Sequence, residues 1–192
     1  MLEFTEEQES FRHVVREFAE AEIRPHVEDW DRDHTFPTET VLAMGDLGLC
    51  GLMFDEQWGG SGAGLTTQCI AIEEIGRVDQ SMGITLEAAV SLGARPLAEY
   101  GTEDQKTEWL PDLVVGRRLA AFGLTEPDFG SNPSGMLTKA VDDGDSYVLN
   151  GAKMWITNGT IADLAIVWAK LDGKIRGFIV EKDDNGFTAP EM

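Results

Sequence analysis

Near residue 119 the hydrophobic repeat of this chain changes from the period of a helix to that of a strand, so any fold it adopts must place a boundary there. Upstream, Thr5-Glu-Glu-Gln8 is a capping-box pattern, and Phe11, Val14, Val15 and Phe18 follow at helical spacing. They predict a helix to about residue 22, with helical character resuming after Pro25 to residue 30. His34 to Pro37 reads as a loop, Thr38 to Leu47 as a helix closed by Gly48, and Leu49 to Leu65 as a compact glycine-rich loop. Its Gly60-x-Gly62-x-Gly64 lacks the spacing and the preceding strand of a nucleotide loop. Thr66 to Val78 and Ser81 to Ala94 read as largely apolar helices buried on most sides. A second capping box, Thr102-Glu-Asp-Gln105, opens a helix through about Val115 that contains Pro111, a place for a kink, and Gly116 ends it. Downstream, Leu119–Leu124, Thr138–Val141, Tyr147–Trp155, Ala165–Lys170 and Ile175–Glu181 read as strands, with turns at Asp142–Asp145 and Asp172-Gly173. The fold class is α+β: an all-α helical domain over residues 1–119, then a mostly antiparallel β domain over 120–192.

Two stretches of the β domain carry chemistry. In Phe122-Gly-Leu-Thr-Glu-Pro-Asp-Phe-Gly-Ser-Asn132, Pro127 ends the first strand and Gly130 is expected at positive φ. Converging N–H groups there, with the Thr125 and Ser131 hydroxyls, suit a phosphate or the edge of a heterocycle. In Asn150-Gly-Ala-Lys-Met-Trp-Ile-Thr-Asn-Gly159, strand character through Thr157 would put Trp155 and Thr157 on one face, where a flat ring meets both. A surface turn followed by a hairpin strand with a core tryptophan is the alternative that composition alone leaves open.

Charge narrows the classes of partner. The 35 acidic and 15 basic residues give a net charge of −20, which speaks against nucleic acid, whose phosphates need Lys and Arg, and against an anionic membrane. Acidic residues are spread along the chain and nine Arg accompany six Lys, the pattern of a halophile's cytoplasmic protein. Cys50 and Cys69 lack C-x-x-C spacing and read as buried thiols of a reducing compartment. No apolar run is long enough for a membrane span, and no metal site is indicated.

Taken jointly, Leu124-Thr-Glu-Pro-x-x-Gly-Ser131 and Tyr147-x-Leu-Asn-Gly-x-Lys-x-Trp-Ile-Thr-Asn158 resemble the flavin-binding signature of the acyl-CoA dehydrogenases, in the family's order and separation. The resemblance extends upstream through Trp58-Gly-Gly-Ser-Gly, Glu73-Glu-Ile-Gly-Arg and Tyr100-Gly-Thr-Glu-Asp-Gln-Lys. It implies FAD as cofactor, an acyl-CoA thioester as substrate, a 2,3-double bond as product, and an electron-transfer flavoprotein as acceptor. It also implies a barrel-like middle domain and a homotetramer. Cofactor contacts implied are Phe122, Gly123, Leu124 and Thr125 on the pyrimidine side, Gly130 and Ser131 at the pyrophosphate, Ser131 also at the CoA chain, and Trp155, Ile156 and Thr157 at the isoalloxazine. The Thr157 hydroxyl is the natural partner for N5.

Departures from the family pattern also inform. Asn132 stands where the family has Asp, and Asp128-Phe129 where small residues are commoner. Asn132-Pro-Ser-Gly-Met136 and Ile175-Arg-Gly-Phe-Ile-Val-Glu181 resemble the glutaryl-CoA dehydrogenase branch, yet Gly83 falls where that branch has its carboxylate-binding arginine. An uncharged acyl group is therefore favoured and glutaryl-CoA is the runner-up. The resemblance implies that the catalytic glutamate lies in a C-terminal helical domain, which is expected to be absent from this chain. Glu73, Glu74, Glu87 and Glu99 read as solvated and Glu126 as a turn or positioning residue, while His13, His26 and His34 read as surface. No residue of this chain reads as the catalytic base. A non-catalytic flavin- or acyl-CoA-binding module and an acyl-CoA oxidase are the other readings.

Overall fold

The computed structural model describes residues 3–190, so the outermost two residues of each expected domain lie outside the described residues. Two compact units divide at residues 118 and 119.

The first unit is helical. Helix α1 (Glu6–Phe18) opens with the expected capping box, Thr5 Oγ1 accepting from Gln8 N at 3.2 Å and Gln8 Oε1 from Thr5 N at 3.1 Å. It continues as a π turn over Ala19–Ile23, in which Arg24 N donates to Ala19 O at 3.0 Å. Short α2 (Val27–Asp33) stops at His34, which has φ 51°, and α3 (Thr38–Asp46) ends before Gly48 at φ 81°. The glycine-rich loop contains two 3-10 turns and buries Leu49, Cys50, Leu52 and Phe54. Helices α4 (Gly64–Gly76) and α5 (Gln80–Glu87) follow, with α5 passing through a π segment (Ala88–Ala94) into α6 (Arg95–Tyr100). Capping of α7 (Glu103–Val114) repeats that of α1, and Pro111 is absorbed within it.

The loop is compact because its backbone touches itself. A Cβ on Gly60 would sit 2.1 Å from Phe54 O and 2.7 Å from Gly51 O, both main-chain atoms that cannot swing aside. Gly60→Ala is therefore expected to cost about 2–3 kcal/mol, read as a lower urea midpoint at unchanged slope.

Two expectations fail here. Cys69 is exposed on α4, whereas Cys50 is buried and burial pushes its thiol up to about 12. Glu74, expected in solvent, is 1% exposed. Arg16 grips it with two hydrogen bonds, of 2.8 and 2.7 Å, Arg77 Nε adds one at 3.3 Å, and Arg12 Nε lies 3.6 Å away. α4 turns one face toward α1, and a buried carboxylate on that face persists only because guanidinium groups from α1 and from Arg77, the residue that caps α4, surround it.

The second unit is one sheet of five strands, β1 (Ala120–Gly123), β2 (Lys139–Asp142), β3 (Tyr147–Asn150), β4 (Leu164–Leu171) and β5 (Lys174–Glu181). Antiparallel hairpins join β2 to β3 and β4 to β5, with Gly144 and Gly173 at positive φ in their turns. β5 pairs along all of β4, whose other edge is shared by β1, in register Ala120↔Leu164 to Gly123↔Val167, and by β2 at Lys139↔Lys170. Both of those pairings are parallel. The sheet is thus mostly antiparallel, as expected, but mixed rather than purely antiparallel. Turn signals report only hairpins, which are antiparallel by construction. The chain between β1 and β4 is long enough for the crossover a parallel pair requires.

Candidate functional site

On one face of the sheet β1 and β4 present Ala121, Gly123, Ala165 and Val167, a shallow floor of small side chains. The second motif lies across it. Ile156 packs against the cluster of Ala121, Ala162 and Ala165 with Val167. A Cβ on Gly123 would meet Val167 Cγ2 at 3.4 Å and Lys153 Cγ at 3.5 Å, so the lysine stem fills the space that glycine leaves. Gly151 approaches so closely that its Cβ would be 2.3 Å from Thr138 Oγ1.

Hydrogen bonds fix the first motif to the second. Met154 N donates to Thr125 O at 2.9 Å, and Lys153 Nζ donates to Leu124 O at 3.1 Å and to Glu126 Oε1 at 2.8 Å. Glu126 is buried. It also accepts from Leu137 N at 2.6 Å, Thr138 N at 3.0 Å and the Thr138 hydroxyl. Burial alone would raise this carboxyl, but the bonds from Leu137, Lys153 and Thr138 hold it down at about 2. Beyond it, residues 126–129 close a tight turn, Glu126 N to Phe129 O at 3.1 Å and Phe129 N to Glu126 O at 3.2 Å.

This geometry corrects the strand expected through Thr157. β3 ends at Asn150, and a single backbone bond, from Met154 N to Thr125 O, replaces a ladder. Trp155 takes φ 60° and Asn158 φ 64°, so Trp155 and Thr157 do not alternate as strand neighbours. With Lys153 and Ile156 anchored on the floor, Trp155 is lifted off it and is 71% exposed. Thr157 is exposed too. Gly130 is not at positive φ, and it and Ser131 are exposed beyond the turn.

Leu124 and Thr125 are therefore brought beside Met154 and Trp155. Phe122 is not: its ring meets Trp168 edge-on at 5.7 Å, on the opposite face of the sheet from Gly123. Ile156 serves as a packing anchor. Among the described residues, the Thr125, Ser131 and Thr157 hydroxyls have no hydrogen-bond partner. Sequence reasoning passed over Lys153 and Thr138 as functional residues, because a pair 27 residues apart leaves no periodic trace.

A helical unit followed by a mixed-sheet unit whose two loop motifs are clasped together defines the class, an N-terminal domain paired with a middle domain. Family models for the acyl-CoA dehydrogenase N-terminal domain and middle domain match residues 5–117 and 121–192, and the chain belongs to the acyl-CoA dehydrogenase family. A probable acyl-CoA dehydrogenase of Bacillus subtilis is 46% identical over 97% of this chain and 51% of its own length. A short-chain-specific acyl-CoA dehydrogenase of Clostridium acetobutylicum is 41% identical over 96% of this chain and 50% of its own. The structure of a glutaryl-CoA dehydrogenase from Mycobacterium smegmatis in complex with FADH2 superposes with a TM-score of 0.95 and 41% identity, over 98% of this chain and 49% of that one. The chain spans about half the length of the curated relatives it matches.

Proposed function

We propose that these residues form the helical and flavin-binding domains of an FAD-dependent acyl-CoA dehydrogenase. The reaction would introduce a 2,3-double bond into an acyl-CoA thioester and pass the electrons to an electron-transfer flavoprotein. The supporting observation is Trp155, an exposed indole held in a left-handed conformation one residue after Met154, whose N–H is bonded to the Thr125 carbonyl. An exposed indole, on motifs that also carry the unpaired Thr125 and Thr157 hydroxyls, suits a flat heterocycle with polar edges. FAD would supply the two-electron acceptance that dehydrogenation requires. Leu124 and Thr125 would hold its pyrimidine side, Trp155 and the backbone of Ile156 its ring system, Thr157 N5, and Gly130 and Ser131 its pyrophosphate, with Ser131 also meeting CoA. Phe122 and Gly123 would contribute through their backbone.

The buried carboxylate of these motifs does not suit proton abstraction. Glu126 is saturated with donors and held at about 2, far below the range a base needs at neutral pH. The proposed base therefore comes from outside these two domains, and binding by these domains without turnover is the second reading. An uncharged acyl group is preferred to glutaryl because a Cβ on Gly83 would lie 2.9 Å from Gly76 Cα, leaving no room for arginine between α4 and α5. No helix among the described residues is long and apolar enough to cross a membrane. A homo-oligomer in the cytoplasm completes the proposal.

Titrating the chain with FAD tests it. Tryptophan fluorescence should be quenched and the flavin absorption band should sharpen. Trp155→Phe should remove most of the quench and weaken binding by about threefold to tenfold. A titration that shows no quenching and no flavin spectral change would sink the reading.

A further inference from the structure

The clasp between the two motifs does more than close a loop. A trans peptide is planar, so the carbonyl and N–H of one peptide unit point in opposite directions. No peptide bond among the described residues is cis. Lys153 Nζ draws the Leu124 carbonyl toward the floor of the sheet at 3.1 Å, and the N–H of the same peptide, that of Thr125, must face the other way. The next carbonyl, that of Thr125, is drawn to Met154 N at 2.9 Å. Among the described residues the Thr125 N–H has no acceptor. The lysine itself cannot reposition easily, since its stem lies against Gly123, its side chain is 11% exposed, and Glu126 fixes its ammonium at 2.8 Å.

We propose that Lys153 is a positioning residue for the cofactor: through the Leu124 carbonyl it aims the Thr125 N–H and hydroxyl, and through Met154 it sets the left-handed turn that presents Trp155. This rests on the flavin reading above. Opposite charge is needed to keep the ammonium buried, and Glu126 supplies it without itself facing the ligand. The result is a donor pair and an aromatic plane locked in one register before any ligand arrives, which is the arrangement that spares a site the cost of ordering itself.

Lys153→Met and Lys153→Gln test the assignment in the full chain. In Lys153→Met, Glu126 keeps its Leu137 and Thr138 donors, so the sheet is expected to fold. Without ligand, the Thr125 and Trp155 amide resonances should move and Met154 N–H exchange should accelerate. With FAD, the dissociation constant should rise roughly tenfold to hundredfold and the flavin band should lose its sharpened shape. Lys153→Gln, which retains a donor for Leu124, should fall between Lys153→Met and wild type. A folded Lys153→Met whose Thr125 resonance, FAD affinity and flavin spectrum all match wild type would overturn the assignment. If neither variant keeps its sheet, Lys153 is a folding residue and the assignment also falls. Failure of the wild-type chain to bind FAD is a separate outcome, and it removes the flavin reading.

Discussion

Glu74→Gln is expected to destabilise the helical unit by about 2–4 kcal/mol, with a fall in Tm on the order of 10 °C. The carboxylate is 1% exposed and accepts charged hydrogen bonds from Arg16 and Arg77, while Arg12 covers it. An isosteric amide keeps the shape but offers one acceptor oxygen and turns an NH2 toward a guanidinium. Arg16 and Arg77 are 47% and 42% exposed and can swing into water, so the loss falls below that of a fully buried pair. Its neighbour is the control: Glu73 is 68% exposed and among the described residues pairs only with Arg12, at 4.0 Å, so Glu73→Gln should shift stability by less than about 0.5 kcal/mol. The hydrogen bond from Arg16 lowers the Glu74 carboxyl, so its contribution is present above the ordinary carboxylate range and disappears as pH falls through the folded value. Wild type and Glu74→Gln should accordingly converge in acid. Equal Tm values for Glu73→Gln and Glu74→Gln at neutral pH would show that the arginine cluster contributes nothing.

The contrast between these adjacent glutamates marks where sequence reading stops. Local signals were legible: both capping boxes, the loop at His34, the glycine stops and both hairpins stand where residue chemistry puts them. Those features depend on residues within a few positions of one another. Which of two consecutive glutamates faces the core depends on where α1 packs against α4, and that is settled by residues 58 positions away. The parallel pairing of β1 with β4 was hidden for the same reason.

At the candidate site the motifs were legible and their geometry was not. Aromatic and β-branched residues from Met154 to Thr157 favour a strand by propensity. Bonds from Met154 and Lys153 to the first motif override it and give Trp155 a positive φ. That conformation is uncommon for an aromatic residue and no local signal announces it. Glu126, read as a positioning residue from its place before Pro127, does hold the turn, but its partners at positions 137, 138 and 153 were beyond reach.

Glu126→Gln should be the most damaging substitution in the sheet unit. The carboxylate receives four hydrogen bonds, from Leu137 N, Thr138 N, the Thr138 hydroxyl and Lys153 Nζ. A glutamine offers one acceptor oxygen, directs two N–H groups at donors and leaves the Lys153 ammonium buried without a counter-ion. Two arguments give the size. Breaking a buried pair costs about 3–5 kcal/mol. Independently, moving a carboxyl from 4.5 to about 2 on folding corresponds to about 3 kcal/mol at neutral pH. The sign follows from the lowered value: stability is complete above 4.5 and is lost as pH falls through about 2. Amide exchange across β1 and β4 should therefore be slow in wild type down to about pH 3, and fast in Glu126→Gln already at pH 7. The gap should narrow as pH approaches 2, where wild type loses the same charge. A variant with wild-type protection at pH 7 would mean that the two motifs are held together without this carboxylate, and the clasp would have to be reassigned to the backbone bond between Met154 and Thr125 alone.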